Sequence, residues 1–205
     1  LAARDGAPGE SDTAGENLMP DEQRPSPSPS PSASQPSAGQ DQGGGGDDGD
    51  GGGEDGPELP DMDEYEDGTG FSVDVPADWS YDRREGTSVY FDIPSGGYLQ
   101  IDQTDDPAGS AEGDWRNQEP VLSQNFPGYK LVGIEGLGEP YTDDFASAAD
   151  WEFTFDGSGG RMHAVNRAFH TEEKGYALFL VSTEEGFSLN RAILDEMTDS
   201  FDPAR

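Results

Sequence analysis

Cysteine is absent from this 205-residue chain. That removes disulfides, thiol nucleophiles and Cys-based zinc sites together. Basic residues are scarce: 11 Lys and Arg stand against 44 Asp and Glu, a formal net charge of −33. A field of that sign repels phosphate backbones and anionic headgroups, so nucleic acid is not an expected partner. No run of about 18 apolar residues occurs, so no segment of the sequence reads as a membrane-spanning helix. Histidine is limited to His163 and His170, which leaves few candidates for acid–base or metal chemistry. The start at Leu1 rather than Met leads us to expect a processed chain or a piece of a longer one.

Large apolar side chains are nearly missing from the first third as well. Residues 1–69 hold only Leu1, Leu18, Met19, Leu59, Met62 and Tyr65, whereas every Trp and Phe lies from Phe71 onward. Two low-complexity blocks fill this region. Arg24–Ser37 alternates Pro and Ser, which favours extended polyproline II. Gln42–Gly56 is mostly Gly and Asp, a flexible and self-repelling composition. Ordering such residues costs about 1–2 kcal/mol each with no apolar burial to offset it. We therefore expect a disordered acidic linker over 1–69 and one folded domain over 70–205. At about 3.1 Å per residue, the Pro-Ser block would reach roughly 40 Å. Asp47–Glu58 has the length of a calcium loop, but Gly49 and Gly51 stand where oxygen side chains are needed, and we expect no metal there.

In the folded part, Phe71, Val73 and Val75 alternate with polar residues and read as a strand ending at Pro76. Trp79 is expected to close one end of the core. Thr87–Ile93 and Tyr98–Thr104, joined by the Pro94–Gly97 turn, read as a hairpin. Ala111–Phe126 reads as a helix with Trp115, Leu122 and Phe126 on one face; Pro120 should kink or split it. Lys130–Glu135 reads as a further strand. Asp150–Val181 reads as a three-stranded antiparallel meander, with Tyr176–Val181 apolar on both faces and so central and doubly covered. Phe187–Phe201 carries Phe187, Ile193, Leu194, Met197 and Phe201 at helical spacing, with Asn190, Arg191, Asp195, Glu196 and Asp199 expected outside. Strands segregated from two helices, with no βαβ rhythm, argue an α+β fold: an antiparallel sheet of six or seven strands covered by two helices.

Five segments, taken in order, resemble one known family: Val89–Thr104 (VYFDIPSGGYLQIDQT), Asp114–Glu119 (DWRNQE), Ala148–Phe155 (AADWEFTF), Met162–Phe169 (MHAVNRAF) and Gly175–Ser182 (GYALFLVS). They resemble the C-terminal, extracytoplasmic region of actinobacterial membrane serine/threonine protein kinases, over about residues 70–203. The resemblance implies a PsbP-like α/β sandwich. It also implies a kinase domain and a membrane helix upstream, outside this chain. Pro120 departs from the helix-favouring residue usual at that point.

The kinase machinery itself is not in this sequence: no Val-Ala-Ile-Lys strand, His-Arg-Asp loop or Asp-Phe-Gly is present. Gly157-Ser158-Gly159 lies in a hairpin turn and is not a nucleophile elbow. His163 and His170 are seven residues apart, so on one strand they face opposite sides and cannot share a zinc. The acid pairs Asp105-Asp106, Asp143-Asp144, Glu172-Glu173 and Glu184-Glu185 all fall in expected turns, in water. Arg167, an Arg inside a strand, is the most informative polar residue. Its plain reading is a cross-strand pair with an acid such as Glu152; its sharper reading is an anchor for an anion or carboxylate. Asp102, Gln103, Trp115 and Arg167 form the candidate binding surface. We expect a non-catalytic extracytoplasmic sensor or binding domain, on a disordered stalk tethered to a membrane by a segment outside this chain. Its ligand or protein partner is unidentified, and no cofactor is expected. The alternative is a ligand-free spacer domain.

Overall fold

A computed structural model describes residues 57–107, 109–141 and 145–204. The expected disorder of 1–56 and the Asp143-Asp144 pair lie outside the described residues. The sheet is built around the meander. β7 (Ser147–Gly157), β8 (Gly160–His170) and β9 (Gly175–Thr183) pair in sequence. The turn between β7 and β8 keeps only Ser158 and Gly159 unpaired, because Gly157 sits opposite Gly160. A two-residue turn fixes the register of everything behind it. β9 then receives β5 (Gly97–Thr104) on its other edge, followed by β4 (Ser88–Asp92) and β3 (Ser80–Glu85). At the far side β6 (Lys130–Leu137) pairs with β7. The order β3-β4-β5-β9-β8-β7-β6 makes an antiparallel sheet of seven strands with β9 in the middle. The apolar run Tyr176–Val181 is buried throughout, as a central strand covered on both faces requires.

One face of the sheet is covered by α1 (Ala111–Leu122), which continues into a 3₁₀ turn at Ser123–Asn125. Ser110 caps its first turn by accepting a hydrogen bond from the Gly113 amide. Pro120 does not split the helix, which runs through it to Leu122, although its ring nitrogen cannot donate to the Arg116 carbonyl one turn back. Trp115, Phe126, Trp151, Phe153, Phe155, Tyr98 and Phe179 make the core on this side. The other face is covered by α2 (Phe187–Asp199) together with a small hairpin of β1 (Met62–Glu66) and β2 (Ser72–Pro76). Here Phe71, Val73, Val89, Leu99, Val165, Phe169, Leu178, Ile193, Leu194 and Met197 pack together, and Trp79 closes the edge.

Three expectations need correction. The folded unit starts before residue 70: β1 pairs with β2 from Met62 to Glu66, and Tyr65 packs edge-on against Phe91 at 5.1 Å. A single aromatic between acids carries no periodicity, so β1 is invisible without its partner. β3 has no strand pattern in the sequence: Ser80–Glu85 is charged and exposed, and it is extended only as an edge paired to β4. On α2, Asn190 does not face solvent, and Arg191 and Asp195 are only partly exposed. Asn190 is buried against Ser182, and the other two turn toward the sheet to meet charged partners.

Candidate functional site

Strand register places the four candidate residues on two different faces. Along β8, odd positions look toward α2 and even positions toward α1, as the two cores show. Arg167 and Gln103 therefore belong to the α2 side, and Trp115 and Asp102 to the α1 side. All four are buried. They do not converge on one surface.

Arg167 sits directly opposite Asp150 in the β7–β8 register. Its Nε and Nη2 donate to the two oxygens of Asp150 at 2.9 and 3.0 Å, a two-pronged charged pair. Asp195 of α2 lies 2.8 Å from Nη2. Nη1 donates to Thr198 Oγ1 at 3.0 Å and to the Tyr141 hydroxyl at 3.3 Å, and the guanidinium lies 4.8 Å from the centre of the Tyr141 ring. Arg191 reinforces the cluster from α2, 2.6 Å from Asp150. Burial opposes the charge on Arg167, but Asp150, then Tyr141 and Asp195, outweigh it and raise its pKa further. The partner is thus Asp150 rather than Glu152, which stands opposite Val165, two residues along. With its donors engaged in this way, Arg167 joins β7, β8, α2 and the Tyr141 segment, and it is not presented to an outside anion.

Glu152 meets His163 instead, at 2.7 Å from Nε2. Glu184 stands 3.9 Å from Nδ1, and the imidazole lies flat on Phe187 with ring centres 3.4 Å apart. Both ring nitrogens face carboxylates, so neither is aimed at a nucleophile, and the pair has the geometry of a strut between sheet and helix. His170, at the end of β8, turns to the α1 side and places Nδ1 2.8 Å from the Thr171 carbonyl.

Gln103 ties the β1–β2 hairpin to the sheet. Its amide donates to Thr69 Oγ1 at 2.9 Å, and Thr69 donates to Asp67. Asp67 also accepts from the Tyr65 hydroxyl and pairs with Arg84. Burial works against the Asp67 charge, but the Thr69, Tyr65 and Arg84 contacts prevail and hold its carboxyl below the usual range. Tyr65 pays the reverse way: burial and the Asp67 charge push its hydroxyl up to about 12. The sequence offered no signal for this knot, since its members come from what reads as tail, turn and edge.

Asp102 belongs to a small polar layer on the α1 side. It accepts from Thr87 and Ser88 at 2.9 and 3.0 Å, and Gln100 donates to Ser88 at 3.3 Å. Following the register across the sheet, Ile134, Trp151, Asn166, Phe179, Gln100, Tyr90 and Arg83 form one continuous row. Trp115 stands above it, its ring centre 5.7 Å from that of Trp151. The Asn166 side chain and the indole nitrogen of Trp115 are fully buried and have no hydrogen-bond partner among the described residues. Asp114, one residue before Trp115, has its carboxyl pushed up by burial, partly offset by Gln118 and His170. Among the described residues no group of three or more His, Asp or Glu side chains is arranged to hold a metal ion.

Comparison with known proteins follows from this geometry. Residues 63–203 match the family described as the serine/threonine kinase C-terminal domain. No curated protein matches the chain. Among solved structures, cyanobacterial PsbP (CyanoP) from Synechocystis sp. PCC 6803 superposes with a TM-score of 0.53 at 18% identity, covering 74% of this chain and 97% of that one. That likeness fixes the fold as PsbP-like. LpqN of Mycobacterium tuberculosis, described as involved in cell envelope biogenesis, gives 0.45 at 13% identity, over 70% of this chain and 91% of that one.

Proposed function

This chain belongs to the serine/threonine kinase C-terminal domain family, and from that premise we propose that it is the extracytoplasmic sensing module of a membrane serine/threonine kinase. The chain itself is non-catalytic: it has none of the kinase motifs, and its fold is PsbP-like. The observation that carries the reading is how charge is used inside the domain. Arg167, Asp150, Asp67 and His163 are each engaged by partners from other elements. Such networks hold a shape; they do not hold a reacting group ready. A rigid, acidic domain behind a Pro/Ser and Gly/Asp arm suits display away from a surface. In this reading an outside event alters the association of the kinase inside.

The test is topological. Intact cells making the full-length protein are treated with protease and probed with an antibody against residues 63–203. Loss of the domain in intact cells supports the reading. Survival until the cells are lysed rejects it. The ligand-free spacer remains the second reading, and the saturation of Arg167 favours it over an anion receptor. Deleting residues 57–205 distinguishes the two: a sensor's removal changes autophosphorylation of the kinase in membranes, and a spacer's removal does not.

A further inference from the structure

The seven-stranded sheet ends in two outer strands that are built differently. β3 carries Asp82, Arg83, Arg84 and Glu85 in succession, and charges of that density keep other strands away. β6 reads Lys-Leu-Val-Gly-Ile-Glu from Lys130 to Glu135, and its Leu131 and Val132 are 49% and 57% exposed. Register fixes where its groups point. Leu131 and Ile134 stand opposite Phe153 and Trp151, which belong to the core under α1. Lys130 and Glu135 stand opposite Thr154 and Asp150, on the other face. The Asp156 amide donates to the Pro127 carbonyl, so the even-numbered residues of β7 direct their backbone groups toward β6. Those residues meet Lys130, Gly133 and Glu135. Leu131 and Ile134 therefore turn their N–H and C=O groups away from the sheet. Arg116 agrees with this direction, donating from outside the ladder to the Ile134 carbonyl at 2.8 Å.

This edge matches a copy of itself. Laid antiparallel about a two-fold axis between Val132 and Gly133, it sets Lys130 against the partner's Glu135 and Leu131 against the partner's Ile134. The outward N–H and C=O groups of Leu131 and Ile134 then meet their counterparts. A carbonyl has two lone pairs, so the Arg116 contact does not close Ile134 to a strand. Charge selects the orientation: a parallel copy would set Lys130 beside Lys130 and Glu135 beside Glu135. The bulge selects the occupant. Val132 is an extra residue against β7, and a bulge discourages an ordinary flat strand. A second β6 has the same bulge at the same height, so the two strands stay in step between Leu131 and Ile134. A Cβ on Gly133 would have only Glu135 in ordinary contact, so this position leaves room for the partner's Val132. The net charge of −33 opposes the pairing, and salt screens that repulsion.

We propose that β6 is an interface at which two copies of this chain join edge to edge, with Lys130 of each against the partner's Glu135. It gives the sensing module a way to bring two kinases together, but it does not rest on location, so this proposal and the protease result fail separately. The experiment uses the full 205-residue chain in sedimentation equilibrium at about 0.15 and 0.5 M NaCl. Effective concentrations between tethered modules reach the millimolar range, so a Kd of about 1 mM or below is expected, tighter in the higher salt. Lys130→Glu sets like charges opposite each other and should weaken association at least about tenfold. Adding Glu135→Lys restores the parent's net charge and reverses both pairs, and association should return. Register is read separately. The chain has no cysteine, so Lys130→Cys and Glu135→Cys each place a single thiol. Opposed residues here lie about 4.5 Å apart at Cα, within disulfide reach, whereas two copies of one variant hold their thiols about 17 Å apart. An oxidised mixture of the two variants should cross-link, and either alone should not. A chain that stays monomeric at about 2 mM overturns the proposal and leaves the edge to a strand of a different protein. It is also overturned if Lys130→Glu associates as the parent does, if the double variant does not recover, or if cross-linking ignores the register.

Discussion

Arg167 shows what one side chain can decide. It is fully buried, and three carboxylate contacts and a hydroxyl pair depend on it. Replacing it with Met removes the charge but leaves Asp150 buried with Arg191 alone. Breaking a buried pair in this way costs about 3–5 kcal/mol, which urea denaturation of the variant should show. Lys should rescue little, because a point charge cannot span both oxygens of Asp150. Asp67 makes a different prediction, in pH. Its folded carboxyl titrates below the ordinary value, so its contribution to stability is present above about pH 4 and is lost as pH falls through the folded pKa. The parent should therefore lose more stability between about pH 5 and pH 3 than Asp67→Asn does. Equal losses would mean that the Thr69, Tyr65 and Arg84 contacts do not favour the charged form.

Among the elements, β5 and β1 are the most exposed to single changes. Gly97 opens β5 with φ +107, and a Cβ there would stand 2.1 Å from the Val181 carbonyl of β9. Gly97→Ala must therefore strain the backbone and separate the two central strands; a loss of at least about 2 kcal/mol is expected, read as a lower melting temperature. The β1–β2 hairpin carries Tyr65 and Asp67 onto the sheet. A chain cut to begin at Gly70 should melt well below one that begins at Pro57, since it loses β1 and the knot with Arg84 and Gln103. Equal melting points would make β1 an accessory. These two elements also mark the limits of pattern reading. The meander was legible because Trp151, Phe153 and Phe155 alternate and a Gly-rich turn follows. β1 and β3 were not, because their residues are polar and their conformation is imposed by neighbours. The partner of Arg167 was out of reach for the same reason: choosing Asp150 over Glu152 requires the turn length, and Gly-Ser-Gly-Gly allows more than one.

At the scale of the whole molecule, charge is the dominant stress. With 44 acids against 11 Lys and Arg, the surface repels itself, and a compact shape concentrates that repulsion. Adding NaCl from about 0.01 to 0.5 M should raise the melting temperature, because exposed charges are screened while the buried Arg167 pair is not. A fall with salt would mean that surface ion pairs, such as Arg116 with Glu112, contribute more than the repulsion removes. The three layers also explain how such a sparse apolar complement suffices. One central sheet is covered twice, so β9 serves both cores, through Leu178 and Leu180 on one side and Phe179 and Val181 on the other.

Composition alone showed that every Trp and Phe lies from Phe71 onward, and so where most of the interior had to be built, since burial needs apolar side chains. Alternation alone set the meander, the β4–β5 hairpin and α2, because a period of two or of 3.6 is a local property. Tertiary structure decided which face each candidate residue took. It separated Arg167 and Gln103 from Trp115 and Asp102, and drew residues 62–69 into the fold. Those outcomes depend on register and on which layer covers which face, and both arise only between segments far apart in the chain.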